Sequence, residues 1–154
     1  MENYVKLSKV VEKLNLKNLT PDVDMTEKKV MVPDINRPAL QLTGFFEHFA
    51  YERVQLIGCV EYTFLENMEE DEKEKIYDML LSYKIPCIIF CRNLKPDDSL
   101  IEKANKANVP VFSTETPTSA FSAEIIRWLN VELAPCISTV SYTHLRAHET
   151  GRNL

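Results

Sequence analysis

The chain has 154 residues, the length of one ordinary domain, and a globular composition with 45% hydrophobic and 27% charged residues. Its net charge is −5, and it has no basic cluster of the kind that marks nucleic-acid binders, so we expect no nucleic-acid partner. The longest apolar run, residues 85–91, is far shorter than the ~20 residues that span a bilayer. The first residues also lack a signal-peptide pattern. We therefore expect a cytoplasmic protein with no membrane partner.

Helix and strand patterns alternate along most of the chain. We predict, in chain order, a helix over 5–14, a strand over 29–32, a helical turn over 37–42, a strand over 53–57, a helix over 69–83, a strand over 86–91, a helix over 96–107, a strand over 109–112 and a helix over 117–134. Strands separated by helices of this length predict an α/β fold with three layers, in which a mostly parallel sheet carries helices on both faces.

Two of these helices have clear ends. The acidic residues 69–72 oppose the positive end of the helix dipole, so we interpret them as solvent-exposed charges rather than as a pair of catalytic carboxylates. The predicted inner face of that helix consists of Ile76, Met79, Leu80 and Tyr83. In the last helix, we predict Thr116 as the N-cap and Pro117 as the first helical residue.

The sequence divides into a patterned body, residues 1–140, and a tail, residues 141–154. The tail contains His144 and His148, whose spacing suits one face of a metal-binding helix, but no third ligand accompanies them. We predict no metal site there. The tail is similar to translated adapter sequence, so we interpret it as non-native and expect it to be disordered.

The body shows no complete catalytic pattern. A phosphate-binding loop needs glycines followed by Lys and a hydroxyl, and neither Gly44 nor Gly58 lies in such a sequence. His48 lies among aromatic residues and is interpreted as a half-buried structural residue. Cys87 and Cys91 lie ~13 Å apart along one predicted strand, too far to form a disulfide. We predict buried, reduced thiols, and keep a redox role for Cys87 as a remote alternative.

One segment suits a binding site. Residues 33–38 hold Asp34, Asn36 and Arg37 between two prolines, just past the end of a predicted strand. Ligand crevices of open α/β sheets form at such strand ends. The alternative is an Asx-type turn in which Arg37 pairs locally.

A second segment gathers hydroxyl groups at the start of the last predicted helix. Residues 113–119 include Thr116 and Ser119, and a helix N-terminus with free hydroxyls can bind an anion. No glycine, Lys or Arg accompanies them, so the alternative is that these residues only cap the helix.

Longer motifs carry a resemblance to one family. Residues 33–46, PDINRPALQLTGFF, followed by residues 52–58, ERVQLIG, resemble the N-terminal domain of HPr kinase/phosphorylase. Residues 118–129, TSAFSAEIIRWL, followed by residues 132–135, resemble the family's bridge into its kinase domain. The similarity covers residues 1 to about 140.

The resemblance implies a bacterial enzyme, typical of Firmicutes, that phosphorylates a serine of the phosphocarrier HPr with ATP and reverses that step with phosphate. The family thereby governs carbon catabolite repression, and its members assemble as hexamers. Its ATP and Mg²⁺ chemistry belongs to a C-terminal domain that would begin near Val140, so we expect a fragment without catalytic residues or cofactors of its own. In fold, the family's N-terminal domain is similar to the N-terminal, uridine-nucleotide-binding domain of the Mur ligases.

We therefore expect a non-catalytic regulatory or assembly domain. Its partners would be the kinase domain of the parent enzyme and sister subunits, with HPr bound through the missing domain. The alternative is a small-ligand sensor that binds a nucleotide or a phosphorylated metabolite near Asp34 and Thr116.

Overall fold

A computed structural model describes residues 3–134 of the chain. Its elements are β1 (Val5–Lys6), α1 (Leu7–Lys13), β2 (Lys17–Asn18), β3 (Lys29–Val30), β4 (Ile35–Asn36), α2 (Ala39–Leu42), β5 (Val54–Ile57), α3 (Cys59–Glu66), α4 (Glu70–Leu81), β6 (Ile88–Phe90), α5 (Asp98–Ala107), β7 (Val111–Ser113) and α6 (Thr118–Glu132). The tail and its two histidines lie outside the described residues.

Five of the strands form one sheet in the order β2-β7-β6-β5-β4. Strands β4 to β7 are parallel, while β2 pairs antiparallel with β7 at one edge. Neighbouring parallel strands follow chain order, so each helical crossover moves the chain one strand along the sheet. Strands β1 and β3 form a separate antiparallel pair. The predicted mostly parallel α/β sheet is confirmed.

The sheet has a hydrophobic core on each face. Alternate residues of β5 serve opposite cores, since Val54 and Leu56 pack towards α1 and α6, whereas Ile57 packs towards α2 to α5. The first core includes Leu7, Val10, Ile89, Phe112, Phe121, Ile125 and Leu129. The second includes Leu42, Leu65, Ile76, Leu80, Phe90, Leu100 and Val111. Helices thus cover both faces, as the three-layer prediction requires.

The region before β5 differs from the prediction. Only Lys29–Val30 of the predicted strand over 29–32 is extended, and it pairs with β1 outside the main sheet. The edge strand of the main sheet is instead β4, within the segment predicted as a loop. A strand of two residues is too short to show a period of its own, so its pairing is visible only in three dimensions.

Two helices on the second face also differ. Helix α3 was not predicted, because only Glu61 and Leu65 of its eight residues are buried and one of them is charged. Helix α4 was predicted, but Met79 is exposed, and Tyr77 with the stem of Lys73 joins Ile76 and Leu80 on its inner face. No helix within residues 3–134 is long and apolar enough to cross a bilayer.

Candidate functional site at the carboxyl ends of the strands

The four parallel strands end at the same side of the sheet, which we call the carboxyl edge. Arg37, Gly58, Cys91 and Thr114 each follow directly after one of these strands, and Thr118 opens α6 nearby. Parallel topology brings together residues that are up to 81 positions apart in the chain. This is the side of an open α/β sheet where ligands bind, so it is the candidate site of this chain.

The centre of the carboxyl edge is an ion pair between Arg37 and Glu61. Arg37 Nε donates to Glu61 Oε2 at 3.1 Å, and Arg37 Nη2 donates to Oε1 at 2.8 Å. The side chain of Glu61 is only 3% exposed, and that of Arg37 is 38% exposed. Glu61 Oε1 also accepts the Gly58 backbone N–H at 2.7 Å, which satisfies a free donor at the start of α3. One carboxylate therefore joins β4, β5 and α3.

Gly58 allows the close packing around this pair. A Cβ at this position would lie 2.6 Å from Thr118 Oγ1 and 2.8 Å from Arg37 Nη2, both shorter than real contacts. The Thr118 hydroxyl and the guanidinium group thus fill the space that a side chain would need. The glycine is required for lack of space, not for an unusual backbone angle.

Thr118 and Cys91 form the buried floor of the carboxyl edge. Thr118 Oγ1 is buried without a nitrogen or oxygen partner among the described residues, and it lies beside the Cys91 thiol. Burial raises the pKa of Cys91 to about 11, although the Thr118 hydroxyl and the charge of Arg37 oppose that rise. Burial also raises the pKa of Cys87. Both thiols are free and buried, as predicted, and their protonated state at neutral pH gives no support to a redox role.

A cluster of amide side chains lies next to the ion pair. Asn36 Nδ2 donates to Gln55 Oε1 at 2.7 Å and to Gln41 Oε1 at 3.5 Å. Gln55 Nε2 donates in turn to the carbonyls of Ala50 and Arg53. Because Gln55 is fully buried, these bonds satisfy polar groups that water cannot reach. The cluster fastens β4, α2 and the loop before β5 to one another.

Asp34 lies apart from these groups. Its Oδ1 accepts the backbone N–H of Ile35 at 2.8 Å, and its Oδ2 lies 3.5 Å from Arg53 Nη1, in a pair whose two side chains are both half exposed. Arg53 also donates to the Ile35 carbonyl. Asp34, Asn36 and Arg37 therefore have three different sets of partners. Sequence reasoning missed Glu61 and Gln55, the partners that hold Arg37 and Asn36.

The start of α6 also differs from the prediction. The helix begins at Thr118 with Pro117 as its N-cap, so the prediction of Thr116 as the N-cap is wrong. Pro117 instead separates Thr116 from the helix, and Thr116 Oγ1 lies 3.3 Å from Thr114 Oγ1, which donates to it. Ser119 is exposed on the first turn. No side-chain cap and no acidic residue satisfies the N–H groups of this turn.

The loop after β6 completes the carboxyl edge. Arg92 and Asn93 both adopt left-handed backbone angles, with φ of 58° and 59°. Their N–H groups donate to the carbonyls of Thr116 and Thr114, which ties this loop to the start of α6. Asn tolerates the left-handed region, but Arg adopts it rarely. The sequence therefore did not predict the left-handed turn at Arg92.

Other residues considered in the sequence lie away from this edge. His48 is exposed in a turn with φ of 62°, not half-buried as predicted. The acidic residues at the start of α4 lie in its first turn and are exposed, which confirms their interpretation as surface charges. Within residues 3–134, no three potential metal ligands come together.

Known proteins resemble this chain over most of its length. The family model described as HPr Serine kinase N terminus matches residues 5–129. HPr kinase/phosphorylase of Lachnoclostridium phytofermentans is 52% identical over 87% of this chain and 43% of its own length. The Caldicellulosiruptor bescii protein of the same name is 36% identical over 88% of this chain and 43% of its own length. The chain thus spans less than half the length of these curated relatives.

One solved structure shows the same fold at low sequence identity. It contains the CBS and DRTGG domains of the regulatory region of Clostridium perfringens pyrophosphatase, complexed with its activator, diadenosine tetraphosphate. The TM-score is 0.57 at 15% identity, covering 95% of this chain and 60% of that one. The family match extends from β1 into α6 and includes every residue of the carboxyl edge. The chain therefore belongs to the HPr serine kinase N-terminal family.

Proposed function

We propose that this chain supplies a non-catalytic regulatory or assembly domain to a bifunctional HPr kinase/phosphorylase. The observation that carries the proposal is the 52% identity to HPr kinase/phosphorylase of Lachnoclostridium phytofermentans. The match covers only 43% of that relative, so more than half of its length is left for other tasks. The structure is compatible with this division, because the charged groups of the carboxyl edge are engaged in joining elements of the domain itself.

The geometry of Arg37 illustrates this. Two of its donor nitrogens, Nε and Nη2, are occupied by Glu61, whose second task is to hold the Gly58 N–H. Because the guanidinium of Arg37 donates through two nitrogens to one carboxylate, it holds the end of β4 and helix α3 in a fixed position relative to each other. Such an edge provides a rigid surface for contact with another part of an enzyme.

In the proposed parent enzyme, ATP and Mg²⁺ serve phosphoryl transfer in the remaining length of the protein, where HPr also binds. Phosphoryl transfer needs backbone donors, a cation and a metal site together. The proposed enzyme acts in the cytoplasm as a homo-oligomer and controls carbon catabolite repression through the phosphorylated serine of HPr.

A hybrid enzyme tests this proposal. Residues 1–134 would be joined to the remaining part of the Lachnoclostridium phytofermentans relative and compared with that remaining part alone and with this chain alone. HPr phosphorylation by labelled ATP with Mg²⁺, reversal by phosphate and sedimentation would be measured. We expect no label on HPr with this chain alone, and altered regulation or assembly in the hybrid. Label on HPr with this chain alone, or a hybrid that behaves in every assay like the remaining part alone, contradicts the proposal.

A second candidate function is the sensing of a nucleotide or a phosphorylated metabolite. The start of α6 favours it, because this helix of 15 residues has neither a side-chain cap nor an acidic residue in its first turn, and it lies at the same edge as Arg37. Calorimetry with uridine nucleotides and sugar phosphates tests it, with Arg37→Ala as the variant. Absence of heat for all of these ligands would remove this candidate.

A further inference from the structure

Thr118 has a buried hydroxyl without a hydrogen-bond partner. Thr118 is 8% exposed, and its Oγ1 is the one buried side-chain nitrogen or oxygen within residues 3–134 that makes no hydrogen bond. Other buried polar groups of this edge are paired, since the carboxylate of Glu61 has three donors. The adjacent thiol of Cys91 is only a weak partner. Buried hydroxyls are rarely unpaired in folded proteins, so this one is available to an acceptor from outside the chain.

The hydroxyl of Thr118 lies close to the guanidinium of Arg37. Thr118 Oγ1 and Arg37 Nη2 lie 2.6 Å and 2.8 Å from the position that a Cβ of Gly58 would occupy. A guanidinium has five N–H donors, and Glu61 accepts from two of those of Arg37, so three remain for another acceptor. The side chain of Arg37 is 38% exposed, so solutes reach part of it. Donors from β4 and α6 therefore converge on one place at the carboxyl edge.

The first turn of α6 adds backbone donors at the same place. Thr118 is the first residue of this helix, and the N–H of Phe121 donates to the Pro117 carbonyl at 2.9 Å, which is the first α-helical bond. The N–H groups of residues 118–120 have no side-chain cap and no acidic residue in their turn. Such N–H groups, together with the positive end of the helix dipole, attract anions.

The charged residues around the start of α6 are compatible with an anion. The backbone N–H of Arg92 donates to the Thr116 carbonyl, which holds this exposed arginine beside the helix start. The acidic residue of the same loop, Glu115, is exposed. The buried carboxylate of Glu61 is already paired with Arg37. The edge thus combines two arginines and a helix N-terminus with one unpaired carboxylate.

We propose that the carboxyl edge binds a phosphate group through the Thr118 hydroxyl, the remaining N–H groups of Arg37 and the first turn of α6. A phosphate monoester presents three strong acceptor oxygens, so it can accept from a hydroxyl, a guanidinium and backbone N–H groups at once. The same group occurs in inorganic phosphate, sugar phosphates and nucleotides. This inference rests on the second candidate function, ligand sensing, and specifies the chemical group that is recognised and the residues that recognise it.

Titration of the ¹⁵N-labelled full chain with inorganic phosphate, followed by NMR, tests the proposal. We expect saturable shifts of the amide signals of residues 118–120, which sodium chloride at equal ionic strength does not reproduce. Thr118→Val keeps the shape of the side chain and loses no hydrogen bond within the domain, so it should fold like wild type. It should weaken phosphate binding roughly tenfold or more. The matched control is Thr63→Val, at an exposed threonine of α3, which should bind like wild type.

Titrations with uridine monophosphate and glucose 6-phosphate distinguish the sources of the phosphate group. Tighter binding of either ester at the same amides identifies an organic phosphate, and equal binding identifies inorganic phosphate. The proposal is overturned if no probe shifts residues 118–120 saturably, if chloride gives the same shifts, or if Thr118→Val binds phosphate as tightly as wild type. Calorimetric heat for a nucleotide or sugar phosphate without shifts at residues 118–120 would support ligand sensing and refute this site, so the two failures are distinguishable.

Discussion

The carboxyl edge and the contact between α4 and α5 both use charged side chains to join two elements, but in different surroundings. Between the helices, Lys103 Nζ lies 2.7 Å from Asp78 and Lys73 Nζ lies 3.1 Å from Asp97, and these two carboxylates are 65% and 44% exposed. At the carboxyl edge, the carboxylate of Glu61 is buried and has three donors. The number of ion pairs therefore says little about their contribution to stability. Whether the carboxylate is buried decides how much its loss would destabilise the protein.

The largest expected effect follows from removing Glu61. Glu61→Ala should lower the free energy of unfolding by about 3 kcal/mol, because it leaves Arg37 without its partner and the Gly58 N–H without its acceptor. Urea denaturation measures this loss. The matched control is Glu66→Ala, an exposed glutamate of the same helix, which should change little. Equal losses in the two variants would show that burial does not distinguish them.

Removing the other partner should cost less. Arg37→Ala should lower the free energy of unfolding by about 2 kcal/mol, because the buried carboxylate of Glu61 then keeps only its bond to Gly58. The loss is smaller than for Glu61→Ala because removal of the partly exposed guanidinium lets water approach that carboxylate. Arg37→Lys should fall between wild type and Arg37→Ala, since an ammonium cannot make both bonds in one plane. A loss within about 0.5 kcal/mol for Arg37→Ala would mean that the pair behaves like a surface pair.

A smaller effect should follow from filling the space at Gly58. Gly58→Ala should cost between about 1 and 2 kcal/mol, because the new methyl group meets Thr118 Oγ1 and Arg37 Nη2. Thr118→Ala removes the nearer of these atoms, so the double variant should be more stable than the sum of the single losses predicts. Urea denaturation of the four proteins gives this coupling. Strict additivity would show that the methyl group does not meet the hydroxyl.

The smallest effect concerns the helix contact, and it depends on pH. Burial alone would raise the pKa of Asp97, but hydrogen bonds from Tyr77 and Lys73 and the charge of Lys73 outweigh it and hold the pKa below its ordinary value. A carboxylate with a lowered folded-state pKa stabilises the protein above its unfolded-state pKa, about 3.9, and loses that contribution as pH falls through the folded value. Melting temperatures of wild type and Asp97→Asn should therefore differ at pH 7, and the difference should shrink as the pH falls below about 3.9 and through the folded-state pKa of Asp97. A difference in melting temperature that does not change with pH would contradict the lowered pKa of Asp97.

Apolar periodicity predicted the elements that form the two cores, because β5, β6, α4, α5 and α6 each bury a run or stripe of large side chains. It did not predict the strands of two residues, β1, β2 and β4. Such strands exist through hydrogen bonds to partners far away in sequence, as in the pairing of Lys17 with Ser113. Their own residues carry too few side chains to show a period.

The candidate site was also predicted only in part, because some of its contacts join residues that are far apart in the sequence. The two prolines of residues 33–38 indicated a binding site at Asp34, Asn36 and Arg37. The structure places Arg37 at the carboxyl edge. Its partner Glu61 is 24 residues away, and a glutamate in sequence is expected at the surface. A local signal was present, since Gly58 directly follows a strand and Glu61 stands three residues later, the spacing of a helix N-cap and its reciprocal acceptor.

The two outer strands of the main sheet have a consequence for the solubility of the folded chain. At one edge, β4 has two residues between Pro33 and Pro38, and the N–H and carbonyl of Ile35 are taken by the side chains of Asp34 and Arg53. At the other edge, β2 is equally short. Neither edge offers a long row of free backbone groups to an incoming strand, so the sheet is protected from edge-to-edge aggregation.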